Sequence, residues 1–426
     1  MKDRLIVGLD IGTSHVRIAA GSAGLTQDKR LVLNLLGAAE VPSQGVAKGA
    51  VTSLDDAVSS ISACLEAAER VVGVPFNEAL VGIGGSAITC QEAKGVIGGS
   101  RTDGEIRRED VARAIEAARA YINPANQEII YVQPRGFSVD GQHGIRDPIG
   151  MQGIRLEADT LIIHGLSTHV RNVSKAVFRT NLEISELVYG ILGSALVVTT
   201  PRQRELGVCV VNIGAATTSV AVYENGDLLK AATIPMGGDH ITNDIAIVLR
   251  VSRDAAERIK RTFGCADPEL LPKRAHDIDL VEYGAGEGES ASDHYLSEII
   301  QARVEELYGK VEAELKKIDR EGLLPAGIIL TGGGCKMPGM VEMAKRCLRL
   351  PCDVGRATLQ SSMPELTQDP TFSTAVGLVA WGFESLKHDD DGATSFRSSG
   401  KGKGGGGNFM GKLGSPIKNL FRSFAP

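Results

Sequence analysis

Residues 5–20, LIVGLDIGTSHVRIAA, and residues 206–223, LGVCVVNIGAATTSVAVY, are two versions of one pattern. Asp10-Ile11-Gly12 superimposes on Asn212-Ile213-Gly214 without gaps. Each copy runs from an apolar strand through a polar residue, an apolar residue and a glycine into a short turn and a second strand. Each predicts a β-hairpin. An echo half a chain apart predicts two similar lobes rather than one undivided core. Glycine at such a turn lets successive backbone N–H groups crowd around an anion. Two hairpins of this kind predict one polyphosphate gripped from both sides.

Three further glycine sites extend the pattern. Ile328-Ile329-Leu330-Thr331-Gly332-Gly333-Gly334 reads as a strand ending in three glycines, followed by Met337-Pro338-Gly339 and a helical pattern. Ligands bind beyond the carboxyl ends of parallel strands. Met236-Gly237-Gly238-Asp239-His240 is a second. Ala256-Glu257-Arg258-Ile259-Lys260, ending near Gly264, is the third and puts Glu257 and Lys260 on one helix face. Alone, a glycine pair reads as a turn and a Glu/Lys pair as a solvated face. The ordered set is far more specific.

Composition bounds the partners. Hydrophobic residues make up 43% of 426 residues, which excludes a wholly disordered chain. Aromatic residues are 4% and the net charge is −6, so neither a stacking platform nor a basic footprint for nucleic acid is expected. The seven cysteines form no CxxC pair, which predicts neither a zinc site nor a disulfide framework and fits a reducing cytoplasm. The apolar run at the N-terminus is broken by Asp10, too early for a signal peptide. No run of about 18 apolar residues is present, so no membrane span is expected.

The charge is unevenly placed. From Gly392 onward there is no acidic residue, and Arg397, Lys401, Lys403, Lys412, Lys418 and Arg422 give +6, leaving the body at −12. Residues 400–407, GKGKGGGG, have the composition of a flexible linker. Beyond them come Phe409 and Leu413, then Ser415-Pro416, which resembles an N-cap with proline at the first helical position. Ile417, Leu420, Phe421 and Phe424 then form one apolar stripe, with Lys418 and Arg422 off it. The spacing predicts a basic amphipathic helix lying in a membrane surface of anionic lipid. A C-terminal helix docked on its own domain is the alternative, for which a long glycine tether is poorly suited.

The order of LDIGTS, a second hairpin, GGDH, AERIK and LTGGG resembles the actin-like ATPase superfamily. Within it the chain resembles the FtsA family of bacterial cell-division proteins. The carrying matches are GLDIGTSHV, the turn Pro42-Ser43-Gln44-Gly45, RELGVCVV, GGDHITNDIA, AERIK, ILTGGG and STAVGL (373–378), over about residues 5–385. The resemblance implies an α/β, two-lobed, duplicated ribonuclease-H-like fold with one subdomain relocated. It implies a first-lobe core from 1–83, 164–200 and 366–385, and an inserted subdomain at 84–163. The second-lobe core would be 201–240 and 311–365, with its top subdomain at 241–310. A linker would follow at 386–408 and a membrane helix at 409–426. In the insert, Val111, Ile115, Ala118 and Ile122 form a helical stripe, and EIIYVQPRGFSVDG and RLEADTLIIHG read as short strands.

The resemblance further implies binding of ATP with Mg²⁺. Its residues here would be Asp10, Gly12, Thr13, Ser14 and His15; Asn212, Gly214, Ala215, Ala216 and Thr217; Gly237 and Gly238; Glu257 and Lys260; and Gly332, Gly333 and Gly334. Asp10 would face the metal. Implied partners are the acidic C-terminal tail of the tubulin-like FtsZ, other copies of the chain in filaments, later division proteins, and the cytoplasmic face of the cell membrane. Arg303, with help from Lys260 or Arg261, would take the FtsZ tail, and residues 282–294 read as an exposed acidic hairpin tip. Alternatives are an active ATPase or sugar kinase of the same fold, for which no sugar-kinase signature is present, and the related pilus-assembly protein, which lacks such a tail. His164, His169 and Cys335 read as structural.

Three departures bear on catalysis. The second hairpin of most of the family reads Asp-Ile-Gly-Gly-Gly-Thr, and here Asn212 removes a carboxylate that Mg²⁺ prefers. Ala215 and Ala216 add Cβ atoms, costing roughly 1–2 kcal/mol wherever φ must be positive. His15 stands where the family's lysine is common, and a neutral imidazole stabilises phosphate less. Slow or absent hydrolysis is the expectation.

Overall fold

The computed structural model describes residues 4–25, 31–98, 104–121, 126–284, 286, 288–359 and 363–390. The chain opens with β1 (Arg4–Ile11), β2 (His15–Leu25) and β3 (Leu31–Pro42). A small hairpin, β4 (Val46–Ala47) and β5 (Ala50–Val51), turns on Lys48 and Gly49, both at positive φ, which is the two-residue turn that suits strand twist. Helix α1 (Leu54–Val72) follows, with Asp55 and Asp56 in its first turn. Gly73 ends it at φ 81°, where its N–H reaches Glu69 O. Strand β6 (Glu78–Ile83) then pairs parallel with β1.

The insert comprises β7 (Ile88–Gly98), α2 (Arg108–Tyr121), β8 (Gln127–Val139), β9 (Gln142–Ile145) and β10 (Arg155–Leu166). Its sheet has the order β7-β10-β8-β9. Val111, Ile115 and Ala118 are buried as the stripe predicts, while Ile122 lies outside the described residues. Helix α2 presses so close to β7 that a Cβ on Gly95 would stand 2.6 Å from Ala118 N. The strands here are longer than the sequence pattern indicates: β8 has 13 residues and β10 has 12. Proline at 134 breaks the alternation, but a bulge shifts the β8–β10 register beside it, and the β9 pairing begins beyond it at Phe137. Proline in a strand is ordinarily found at such irregularities. Strand β7 gave no clear sequence signal, because Glu92 and Lys94 on one face and Gln91 on the other are all exposed.

The first lobe resumes with α3 (Ser167–Phe178), β11 (Glu183–Tyr189) and α4 (Gly190–Val198), and α5 (Pro201–Leu206) leads to the second lobe. That lobe holds β12 (Val208–Ile213), β13 (Thr218–Glu224), β14 (Asp227–Ile234), α6 (Gly238–Val248), α7 (Arg253–Phe263), β15 (Asp277–Asp279), β16 (Ser290–Ser292), α8 (Asp293–Lys316), β17 (Ile328–Thr331), α9 (Met340–Leu348) and β18 (Cys352–Val354). The described residues end with α10 (Pro364–Gln368) and α11 (Ser373–Asp390), which runs five residues into the segment read as linker.

The duplication is visible in the two main sheets. Their orders, β11-β6-β1-β2-β3 and β18-β17-β12-β13-β14, are the same arrangement twice. Each has an antiparallel three-strand meander joined to two parallel strands. The central strands are buried on both faces, as their continuous apolar runs require. Helices α4 and α11 cross between the lobes. The crossing is glycine to glycine, and a Cβ on Gly377 would overlap the Gly193 carbonyl. Among the described residues, no helix is long and apolar enough to cross a membrane.

Candidate functional site

The two hairpins turn in the same way. Gly12 N–H donates to His15 O at 3.1 Å, and Gly214 N–H donates to Thr217 O at 2.9 Å. Both turns open on one cleft of about 630 Å³, within the range that holds a nucleotide-sized ligand. Asp10, Gly12, Thr13, Ser14 and His15 line it from one lobe. Asn212, Gly214, Ala215, Ala216, Thr217, Gly238, Glu257, Lys260, Gly332, Gly333 and Gly334 line it from the other. Gly237 does not line the cleft. A Cβ there would lie 2.5 Å from Gly214 O and 2.6 Å from Ala215 O. Its bareness lets α6 approach the second turn, where Gly238 and Asp239 N–H donate to those two carbonyls at 3.0 and 2.7 Å.

The lobes differ in charge. The antiparallel register sets Asp10 opposite Arg17 and Asn212 opposite Ser219. Burial pushes the Asp10 carboxyl up from 3.8 to about 6, against the pull of Arg17. Arg17 lines the cleft, donates from Nε to Glu40 Oε2 at 3.0 Å, and lies 5.8 Å from the centroid of the Phe372 ring. His15 is hydrogen-bonded with Ser14 Oγ at 3.1 Å, and burial and Arg17 lower its pKa, which favours the uncharged imidazole. Sequence reasoning weighed His15 as the missing cation and passed over Arg17. Strand alternation was the available signal, since residues 15 and 17 share a face.

The expected strain at the second turn is absent. Neither Ala215 nor Ala216 has positive φ, so the two Cβ atoms carry no left-handed penalty. Asn212 is tied down: its Nδ2 donates to Ser194 Oγ and Thr374 Oγ1, each at 3.2 Å. Those hydroxyls are themselves 3.0 Å apart, one on α4 and one on α11. The amide thus joins the second turn to the helix crossing. Gly332, at φ 82°, passes so close that a Cβ would stand 2.6 Å from Ile213 O.

Glu257 and Lys260 pair at 2.5 Å, and Thr242 Oγ1 donates to Glu257 at 2.6 Å. Burial pushes the Glu257 pKa up, but the bonds from Lys260 and Thr242 outweigh it and hold the carboxyl below its usual range. Arg261, read as an aid to a partner, lines the cleft and donates to Glu257 Oε1 at 2.9 Å. Arg303 lies on α8, paired with Asp244 of α6. The segment 282–294 is not all an exposed tip: β16 (Ser290–Ser292) and the first residues of α8 lie within it, Ala291 and Asp293 are buried, and β16 pairs with β15 as the stem of the hairpin.

Sequence reasoning also missed Gly82-Ile83-Gly84-Gly85, which lines the cleft at the end of β6. It is the first-lobe counterpart of Thr331-Gly332-Gly333-Gly334, since β6 lies beside β1 as β17 lies beside β12. His169 donates from Nε2 to Gly84 O at 2.9 Å and so supports this loop. His164 bonds to Thr89, and the buried Cys335 thiol is pushed up to about 12 by burial. No group of three or more His, Cys, Asp or Glu able to hold a metal occurs among the described residues. The tail residues Phe409, Leu413, Ile417, Lys418, Leu420, Phe421, Arg422 and Phe424 lie outside the described residues.

Comparison with known proteins identifies the pattern. Residues 209–377 match the family model of cell division protein FtsA, and residues 85–164 match that of the SHS2 domain inserted in FTSA. Cell division protein FtsA of Neisseria meningitidis is 36% identical over 426 residues, covering 99% of both chains. That of Pseudomonas aeruginosa is 35% identical over 381 residues, covering 89% of this chain and 90% of the relative. That of Bacillus subtilis is 36% identical over 380 residues, covering 88% and 83%. Among solved structures, the PilM-PilN type IV pilus biogenesis complex superposes with a TM-score of 0.64 at 16% identity, covering 89% of this chain and 98% of that chain. MreB5 of Spiroplasma citri bound to ADP gives 0.53 at 12% identity, covering 91% and 99%. These structural likenesses establish the actin-like fold.

Proposed function

The chain belongs to the FtsA family of cell division proteins, and on that premise we propose that it is the adaptor that ties FtsZ filaments to the cytoplasmic face of the cell membrane at the division site. The observation that carries the reading is the union of an actin-like body with a basic, glycine-tethered apolar stripe in one chain. A pure enzyme of this fold has no use for such a tail. Self-association into filaments and contact with later division proteins belong to the same reading.

The cleft fits ATP with Mg²⁺. Glycine at 12 leaves room at the first turn, where a Cβ would stand 2.8 Å from His15 O, and the residues of both turns line a space of nucleotide size. Asp10 is the carboxylate for the metal, and Mg²⁺ is ordinarily held by one or two carboxylates, waters and phosphate. Bound Mg²⁺ would neutralise charge developing on the phosphates. Arg17 supplies the fixed cation that His15 does not. Glu257, Lys260 and the glycines at 332–334 hold the nucleoside end. Hydrolysis is slow or absent because Asn212 contributes an amide, already committed to Ser194 and Thr374, where a second carboxylate would help position metal and water.

Flotation on vesicles tests the tether. The full chain is expected to rise with vesicles rich in anionic lipid, while a chain ending at Asp390 stays in the dense fraction. Each basic residue near an anionic surface adds about 1 kcal/mol. Neutral vesicles are therefore expected to bind the full chain at least about tenfold more weakly. Equal flotation of the two chains would remove the membrane reading.

A further inference from the structure

Arg303 sits in the middle of α8 with its whole guanidinium engaged. Nε donates to Asp244 Oδ2 at 2.5 Å, Nη2 donates to Asp244 Oδ1 at 2.9 Å, and Nη1 donates to Glu306. This is the two-pronged geometry in which an arginine binds a carboxylate best. Here the carboxylate comes from α6 of the same chain. The pair is accessible, with side chains 27% and 24% exposed. Glu306 is shared with Lys310 at 3.2 Å, so the cluster holds two cations and two carboxylates and has no net charge.

Apolar groups flank the pair. On α8, Tyr295 and Ile299 precede Arg303 by eight and four residues and so lie on its stripe. Tyr295 is 48% exposed. On α6, Ile247 follows Asp244 by three residues and is 74% exposed, high for an isoleucine on an amphipathic helix.

We propose that Asp244 is a built-in competitor for the peptide that Arg303 receives: an acidic peptide docks on this face by displacing the Asp244 carboxylate from the Arg303 fork. The proposal rests on the reading that Arg303 takes the acidic tail of FtsZ. Binding is then an exchange of one carboxylate for another, with the number of charge-assisted bonds unchanged. Acidity alone gains little under that exchange. The net gain comes from apolar side chains of the peptide covering Ile247 and Tyr295. The face therefore selects an acidic peptide that also carries apolar residues and rejects a simple polyanion. Asp244 sets both that selectivity and the ceiling on affinity.

The test uses the full chain, a fluorescent synthetic peptide with the FtsZ tail sequence, and binding read by anisotropy. Arg303→Glu is expected to abolish binding. Asp244→Asn and, independently, Asp244→Ser are each expected to tighten it about five- to tenfold, the upper range for an accessible pair of good geometry. Glu298→Gln removes a charge elsewhere on α8 and is expected to leave affinity near the parent value. Asp244→Asn in the Arg303→Glu background is expected to give no gain. A poly-aspartate peptide should bind the parent poorly and gain most from Asp244→Asn. Should Arg303→Glu abolish binding while both Asp244 variants bind no tighter than the parent, the competitor role is wrong and the Arg303 reading stands. Should Arg303→Glu leave binding intact, the Arg303 reading fails and takes the proposal with it.

Discussion

Replacing Gly377 by alanine should destabilise the protein by about 3 kcal/mol, whereas the same change at Gly309 should stabilise it. Both residues are helical, so propensity alone favours alanine at each by roughly 0.5–1 kcal/mol. Packing decides between them. Gly309 is exposed on α8 with nothing within 4 Å of the added atom. Gly377 lies where α11 crosses α4, and its Cβ would overlap Gly193 O and C and stand 2.9 Å from Ser194 N. All three are backbone atoms, so no side chain can swing away and the helices must separate. Overpacking of a core costs about 1–3 kcal/mol, and a forced helix shift belongs at the upper end. The crossing is also pinned from below, since a Cβ on Gly8 of β1 would come 2.7 Å from Leu378 Cβ.

Trp381, the single tryptophan, reports the event directly. It lies on α11, packs edge-on against Tyr131 of the insert with centroids 5.5 Å apart, and donates to Glu186 at 3.2 Å. Denaturant midpoints followed by its fluorescence are the suitable measurement, because a chain with several lobes need not unfold in two states. The expected result is a clear drop for Gly377→Ala and a small rise for Gly309→Ala. Equal midpoints for the two variants would mean that the crossing is looser than the geometry states. The same crossing receives the Asn212 amide through Ser194 and Thr374, so loosening it should also disturb the second hairpin turn.

These residues show why some features were legible in the sequence and others were not. The hairpin echo is local: a strand, a glycine turn and a strand are contiguous, and their pattern survives in the letters. Two similar lobes followed from it, and the duplicated fold from the family resemblance. Arg17 was passed over as a partner of Asp10, because alternation places it on the right face but only the hairpin's register sets it opposite Asp10. The equivalence of Gly82–Gly85 to Thr331–Gly334 needs the parallel pairing of β6 with β1 and of β17 with β12. The strain expected at Ala215 and Ala216 was conditional on a backbone angle that no sequence displays. Asn212 read as a side chain that loses a charge but can still hydrogen-bond, and only the fold reveals its two hydroxyl acceptors.

Asp10 carries the prediction with the largest effect on binding. Its carboxyl is raised to about 6 by burial, and Gly82 beside it has no side chain to screen it. For folding alone the sign is unfavourable to the charge: a raised acid favours the fold below its ordinary value of 3.8, and that contribution is lost as pH rises through about 6. For Mg²⁺-nucleotide the sign reverses, because the metal needs the ionised form. Affinity for Mg²⁺-ADP should therefore rise about tenfold per pH unit below 6 and level off above about 7. Asp10→Asn should abolish that rise and weaken Mg²⁺-ADP at pH 7.5 by at least ~10–100-fold, the loss that even outer partners of a metal site cause. Without metal the expectation inverts, since an ionised Asp10 repels phosphate, and Asp10→Asn should then bind ADP more tightly than the parent. The nucleotide's own titration cancels in the ratio of parent to variant affinity at each pH. Fluorescent-ADP titrations from pH 5 to 8, with Mg²⁺ and with chelator, give that ratio. A ratio independent of pH in both conditions would show that Asp10 does not face the metal, and the nucleotide reading of the cleft would lose its anchor.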